Sequence, residues 1–314
     1  MSLSRIVVFG GTGFVGRRLV AELVRRGFAV TVPSRNRERQ RDLLVLPGVE
    51  VVTADVYAAA DLRRLLDGAQ AAINLIGILN ERGRRGHGFQ RAHVDFTDSL
   101  IAACRASGVR RLLQMSALNA GRGESHYLRT RGQAEDSVRG SGLEWTIFQP
   151  SVIFGPGDGL FDRFAKLLRL APVLPLARAG ARFAPVYVGD VTEAFVRALE
   201  DPATIGQLYE IYGAETLSLA EIVRYTARCL GLRRAILPLP DALGRLQAAI
   251  FDFVPGKPFS TDNFLSLKRD AVGGIDGLYR LGIEKTPIDA IVPQQLGVGA
   301  RQPRHDRWRR ARRA

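Results

Sequence analysis

The sequence predicts an α/β fold: a doubly wound parallel sheet with helices on both faces, followed by a small, mostly helical C-terminal part on the substrate side. Three observations predict it. Short apolar runs alternate with amphipathic stretches through the first half of the 314 residues, as right-handed strand–helix–strand crossovers require. A glycine triplet separates the first apolar run from the first helical stretch. After Pro150 the texture changes, with prolines and glycines crowding positions 150–159 and proline-rich loops between the later helices.

The elements follow in order. Residues 6–9 (Ile-Val-Val-Phe) read as the first strand. Residues 16–26 read as a helix, because Leu19, Val20, Leu23 and Val24 fall on one face. Strands are expected at 28–32, 49–53, 71–76, 111–115 and 144–149, and helices at 61–66, 89–107 and 131–140. Beyond Pro150, helices are expected at 161–170, 189–200, 219–230 and 241–253, with short strands at 186–188 and 207–211. The expected organisation is a dinucleotide-binding domain over 1–155, to which 183–200 returns, a smaller part over 156–296, and a basic, disordered tail over 297–314.

Composition narrows the class. Cys104 and Cys229 lie far apart, giving neither a disulfide framework nor a metal cluster, which suits a reducing compartment. His87, His93, His126 and His305 show no metal-ligand spacing, so no metal is expected, and His126 reads as a loop residue at the cleft. No secretory leader is evident, and no apolar run approaches the roughly 18 residues of a membrane span. The expectation is a cytoplasmic protein, either soluble or peripheral at the inner face of the membrane. The net charge is +14, and its basic residues are almost all arginine. Residues 301–314 hold seven arginines against Asp306, so an anionic surface is a candidate partner for the Arg301–Arg313 tail. Zinc spacing and aromatic RNA-binding strands are absent, which argues against nucleic acid. The oligomeric state stays open.

The chemistry starts at Gly10-Gly11-Thr12-Gly13-Phe14-Val15-Gly16. Gly10 allows the tight turn out of the strand. Gly13 lets the backbone approach a pyrophosphate, and Gly16 lets the helix pack closely on the sheet. The opening helical turn presents free N–H groups and a positive dipole end to phosphates. Strand, turn and helix together are the context of a Rossmann dinucleotide site. The end of the second strand then selects the cofactor. An enzyme of NAD places a carboxylate there for the ribose 2′-hydroxyl, but this chain has Ser34-Arg35-Asn36. Arg35 can stack on adenine and fork onto a 2′-phosphate, so NADP(H) is expected over NAD(H). Asp55 and Val56, and Leu75, Ile76 and Gly77, end the third and fourth strands, where they should line adenine and ribose.

With these features the chain resembles the extended and atypical short-chain dehydrogenase/reductase superfamily over residues 5 to about 290. The resemblance implies a serine after the fifth strand and a Tyr-x-x-x-Lys pair opening the next helix, with the tyrosine as general acid/base. The matching residues are Ser116, Tyr127 and Arg131. Arginine in the lysine position departs from the pattern: it keeps a positive charge but replaces a compact ammonium with a planar fork. Pro150, Ser151, Val152 and Ile153 match the segment that backs the nicotinamide, and Asp190 matches a helix-capping aspartate. Within the superfamily, Asn74-Leu75-Ile76-Gly77-Ile78-Leu79, Ser116-Ala117-Leu118-Asn119 and the 127–135 run are similar to the branch of the nucleotide-binding accessory subunit of complex I and its bacterial relatives. That similarity implies tightly held NADPH with little or no turnover, in a respiratory or quinone-metabolism context. The alternative is an active oxidoreductase or epimerase/dehydratase using Ser116, Tyr127 and Arg131. Finally, Leu243, Leu246, Ala249, Ile250 and Phe253 form one stripe over 241–254. The expectation is a stripe buried on the C-terminal part; the other reading is a helix on an anionic membrane surface.

Overall fold

The computed structural model describes residues 4–255 and 257–297, so the basic tail beyond Gly297 lies outside the described residues. Six strands run through the first half: β1 (Arg5–Phe9), β2 (Ala29–Ser34), β3 (Val49–Thr53), β4 (Ala71–Asn74), β5 (Arg111–Met115) and β6 (Glu144–Pro150). A seventh, Gln207–Ile211, joins the same sheet from the later sequence. The order is Gln207–Ile211, β6, β5, β4, β1, β2, β3. Every pair is parallel. The strand order therefore reverses between β1 and β4, and a parallel sheet opens its ligand crevice at such a switch point, outside the carboxyl ends.

Continuous apolar strands suit a sheet buried on both faces. Ile6 and Val8 pack with Leu19, Leu23 and Phe195 on one side. Val7 and Phe9 pack with Leu62, Phe96 and Leu100 on the other. Burial of each such side chain contributes about 1.5–3 kcal/mol. The helix Val188–Glu200 returns to the first layer, where Arg26 joins Glu193 at 2.8 Å and Glu200 at 3.1 Å. A further cluster of Phe154, Phe161, Ile222 and Val292 holds together the helices Phe161–Leu170, Leu219–Cys229 and Ile288–Gln295.

Several expectations need correction. The 131–140 helix begins earlier and spans His126–Arg139, because the Ser125 hydroxyl accepts from the Leu128 N–H at 3.1 Å and caps it. His126 is therefore helical, and its Nδ1 lies 2.6 Å from Arg129 Nη2. The 89–107 stretch is helical but mixed: Gln90–Asp95 has π spacing and Phe96–Ala106 is α. Asp190 does not cap a helix. The helix starts at Val188, two residues before it, and the Asp190 carboxylate instead accepts from the Thr286 N–H (2.8 Å) and hydroxyl (2.7 Å). The stripe on the Asp241–Phe251 helix and its extension is not buried. Gly244 and Ala248 face the protein, while Leu243, Leu246, Ala249, Ile250 and Phe253 face outward.

Candidate functional site

The glycine turn is built by exclusion of side chains. Gly10 has φ +81°, and a Cβ there would lie 3.0 Å from the Leu75 carbonyl carbon. A Cβ on Gly16 would run into the Gly10 carbonyl oxygen and the Gly11 backbone. The helix Phe14–Arg25 (α1) takes Gly13 as an N-cap with no side-chain hydrogen bond. Its first internal donor is Arg17 N, at 3.0 Å from Gly13 O. The Phe14, Val15 and Gly16 N–H groups precede it, among the four orphan donors of any helix start. Thr12 lends its carbonyl to Arg17 Nε at 2.9 Å, which fixes the loop from behind. The result is a side-chain-free cradle at the positive end of a helix, and it fits a diphosphate.

The ends of β2 and β3 lie side by side, joined by Ala54 N to Ser34 O at 3.1 Å. The Ser34 hydroxyl is engaged in the turn, donating to Asn36 O at 3.1 Å, and the Asn36 side chain accepts from Arg39 N at 3.3 Å. Arg35 is exposed and takes part in no ion pair among the described residues. Asp55 accepts from Tyr57 N at 3.0 Å through one carboxylate oxygen. Val56 packs under the sheet.

The residues matched to catalysis converge at the carboxyl ends of β4 and β5. Arg131 is buried; its Nη1 donates to Met115 O at 2.9 Å and lies 3.5 Å from Ile76 O. Its Nε is buried with no partner among the described residues. Gly77 leaves room for the guanidinium, and a Cβ there would force the end of the Arg131 side chain to shift. The Arg131 guanidinium carbon lies 5.6 Å from the Tyr127 ring centroid, a cation–π arrangement. On the same ring, His93 and Phe89 pack edge-on at 5.6 and 6.2 Å. Ser116 points elsewhere: its hydroxyl donates to buried Glu135 at 2.5 Å, and Gln149 Nε2 and Arg139 Nη2 donate to the same carboxylate at 2.7 and 2.6 Å. Pro150 O accepts from Leu118 N, the Ser151 hydroxyl donates to Ala271 O at 2.7 Å, and Val152 O accepts from Val186 N. Ile153 pairs with Val186. Of these four, Ser151 ties the end of β6 to the C-terminal part, while Val152 and Ile153 hold the returning 186–187 strand beside it.

Four side chains escaped the sequence reading. Glu135 stands four residues after Arg131, hence on its face of the helix, and helical spacing alone could have flagged it. His93 accepts from Ile78 N at 3.3 Å and pairs with Thr130 Oγ1 at 2.8 Å. Burial, then the Arg131 charge, lower its pKa to about 2. With Nε2 accepting, the proton sits on Nδ1 and points at Thr130. Asp262 receives the His126 and Tyr127 N–H groups at 2.6 and 3.2 Å, so the C-terminal part caps the Tyr127 helix. Its carboxyl is pushed up by burial against those hydrogen bonds. Glu81 binds the Gly86 and Gly88 N–H groups, each at 2.7 Å, and shapes the loop after β4. No local signal marked the last two. Among the described residues no group of three potential ligands could hold a metal ion.

A family model described as NAD(P)H-binding matches residues 10–159. The mouse (Mus musculus) mitochondrial NADH dehydrogenase (ubiquinone) 1 alpha subcomplex subunit 9 is 30% identical over 302 residues, covering 92% of this chain and 79% of that protein. Its Arabidopsis thaliana counterpart is 32% identical over 269 residues, and the match spans 66% of that protein, just short of two thirds. A ceramide reductase of Caulobacter vibrioides is 31% identical over 244 residues, 75% of this chain and 74% of that one. Among solved structures, UDP-glucuronic acid 4-epimerase of Bacillus cereus in complex with NAD superposes with TM-score 0.74 at 16% identity, covering 94% of this chain and 97% of that one. A dTDP-glucose 4,6-dehydratase of Streptomyces venezuelae gives 0.75 at 19%, covering 93% and 95%. At such identities the likeness is one of fold.

Proposed function

The chain belongs to the NAD(P)-binding short-chain dehydrogenase/reductase superfamily, beside the alpha subcomplex subunit 9 of mitochondrial NADH dehydrogenase, and we propose that it holds NADPH with little or no turnover. The observation that carries this reading is the engagement of two of the matched catalytic residues, Ser116 and Arg131. The Ser116 hydroxyl donates its hydrogen bond to Glu135 and is thereby directed away from a substrate oxygen. Arg131 is fixed on the Met115 carbonyl, where a guanidinium takes more room than an ammonium at the ribose. The orphaned Arg131 Nε is a donor that a bound ribose would satisfy.

In this reading residues 1–155, with 183–200, form the nucleotide part, and 156–296 cover it. Gly10, Thr12, Gly13 and the opening turn of α1 hold the diphosphate. Arg35, beside Ser34 and Asn36, receives the 2′-phosphate, and the absence of a carboxylate there removes the repulsion an NAD site would impose. Leu75, Ile76 and Gly77 flank the ribose, and residues 150–153 back the nicotinamide. Were a carbonyl substrate to react there, bound NADPH would supply the hydride and the Tyr127 hydroxyl the proton for its oxygen. The likeness to a respiratory subunit supports a partner in respiratory or quinone metabolism and is compatible with a membrane-peripheral location. Among the described residues no helix is long and apolar enough to cross a membrane.

A second reading is an active reductase. No protein group among the described residues hydrogen-bonds the Tyr127 hydroxyl, and a ceramide reductase is among the relatives. One experiment separates the two. The protein is loaded with NADPH, passed through gel filtration, and offered quinones and long-chain ketones while absorbance at the reduced-nicotinamide band is followed. Retained nucleotide with a flat trace is expected. Sustained oxidation that Tyr127→Phe abolishes would replace the first reading with the second.

A further inference from the structure

The helix Asp241–Phe251 is apolar on two opposite faces. One face is explained: Gly244 and Ala248 are buried, and a Cβ on Gly244 would lie 3.0 Å from Ala177 and 3.1 Å from Phe264. The opposite face is not. Leu243, Leu246, Ile250 and Phe253 are 52%, 56%, 55% and 76% exposed, at helical spacings of three and four residues. A continuous outward apolar stripe of this kind marks an interaction surface.

What stands beside the stripe identifies the partner. An open cavity of about 1030 Å³ lies between the end of this helix and the loop after β4, lined by Ile78, Arg82, Arg84, Arg85 and Phe253 among others. Arg84 stacks over Phe253, with 4.9 Å from guanidinium carbon to ring centroid. Arg82, Arg84 and Arg85 enter none of the ion pairs among the described residues. The two carboxylates lining the cavity are engaged internally: Glu81 with Gly86 and Gly88, Asp252 with Thr261. The surface is therefore an apolar ridge with a flank on which three arginines outside any ion pair among the described residues outnumber the two carboxylates. A second copy pairing ridge to ridge would bring arginine flanks together, and the chain's own 298–314 segment adds seven arginines of the same sign. An anionic lipid surface satisfies both halves at once: aliphatic and aromatic side chains enter the acyl boundary while arginines stay among the headgroups.

We propose that the outward face of the Asp241–Phe251 helix, together with Arg82, Arg84 and Arg85, docks this protein on an anionic bilayer. The docked orientation turns the Ile78–Phe253 cavity, which adjoins the Gly77 end of the nucleotide site, toward the lipid. The proposal rests on the peripheral placement given above and names its surface; it is independent of the choice of nucleotide.

The test is sedimentation of the full chain with vesicles of phosphatidylcholine alone and of phosphatidylcholine with a quarter phosphatidylglycerol. Binding is expected only to the anionic vesicles, weakening with salt. Ile250→Ser with Phe253→Ser should lower partitioning at least about tenfold, and replacing Arg82, Arg84 and Arg85 by Ser by about fivefold per residue. Both variants change exposed residues and should bind nucleotide as the unaltered chain does, which reports that they fold. If the unaltered chain ignores vesicles, peripheral placement and docking face both fall. If it binds and both variants bind equally well, peripheral placement survives and this face is overturned. A dimer in solution that Phe253→Ser dissociates, with no vesicle binding, would assign the face to a second copy and also overturn the proposal.

Discussion

Acidification should destabilise this protein through one buried imidazole. His93 accepts from the Ile78 N–H and donates to Thr130 behind Tyr127. Burial, and then the Arg131 charge, hold its pKa at about 2 instead of 6.5. The folded state therefore keeps the ring neutral, while the unfolded chain takes up a proton below its ordinary pKa. Stability from this group is fully present above that value and is lost as pH falls from there toward about 2. At about pH 5 the unfolded chain is about 1.5 units into the protonated range, which amounts to about 2 kcal/mol. Urea unfolding at about pH 7.5 and pH 5, for the unaltered protein and for His93→Gln, isolates the contribution, because other titrating groups are common to both chains. The variant should lose about 2 kcal/mol less than the unaltered protein over that interval. Equal losses would refute the assignment of a buried neutral imidazole.

Two substitutions probe the nucleotide end and the site's buried charge. Arg35→Asp should weaken NADPH binding about 10- to 100-fold, the worth of a charge-assisted contact, and NADH far less; calorimetric titration with both nucleotides reads the difference, and equal losses would remove Arg35 from the 2′-phosphate. Glu135→Ala strips the shared acceptor from Ser116, Gln149 and Arg139, so urea unfolding should show a loss of about 2–4 kcal/mol; a loss under about 0.5 kcal/mol would show the network to be incidental.

What was legible from the sequence follows from the range of the forces involved. The first strand, the glycine turn and α1 are set by neighbours within about ten residues, and their alternation fixed the α/β class. Tyr127, Arg131 and Ser116 were matched by pattern, and the structure sets the Arg131 guanidinium over the Tyr127 ring. The orientation of Ser116 depends on Glu135, whose position on the Arg131 helix face was readable while its burial was not. Asp262 caps a helix 136 positions earlier, and Asp190 seeks Thr286 across 96. Such pairs are chosen by tertiary packing, which no local periodicity encodes. The 241–253 stripe shows the same limit from another side. Spacing showed a coherent apolar face, but small Gly244 and Ala248 pack more closely on Ala177 and Phe264 than the large residues opposite would, so the helix turns its bulk outward.

The central claim is a diphosphate seated where bare backbone meets the first turn of α1. Titration of the purified full chain with NADPH, in parallel with a Gly16→Val variant, tests it most directly. A side chain at position 16 would strike the Gly10 carbonyl and close the cradle, so binding to the unaltered chain and its loss in a variant that still unfolds cooperatively is the predicted pair of results. NADPH binding of equal strength in both chains, or none to the unaltered chain, would contradict it.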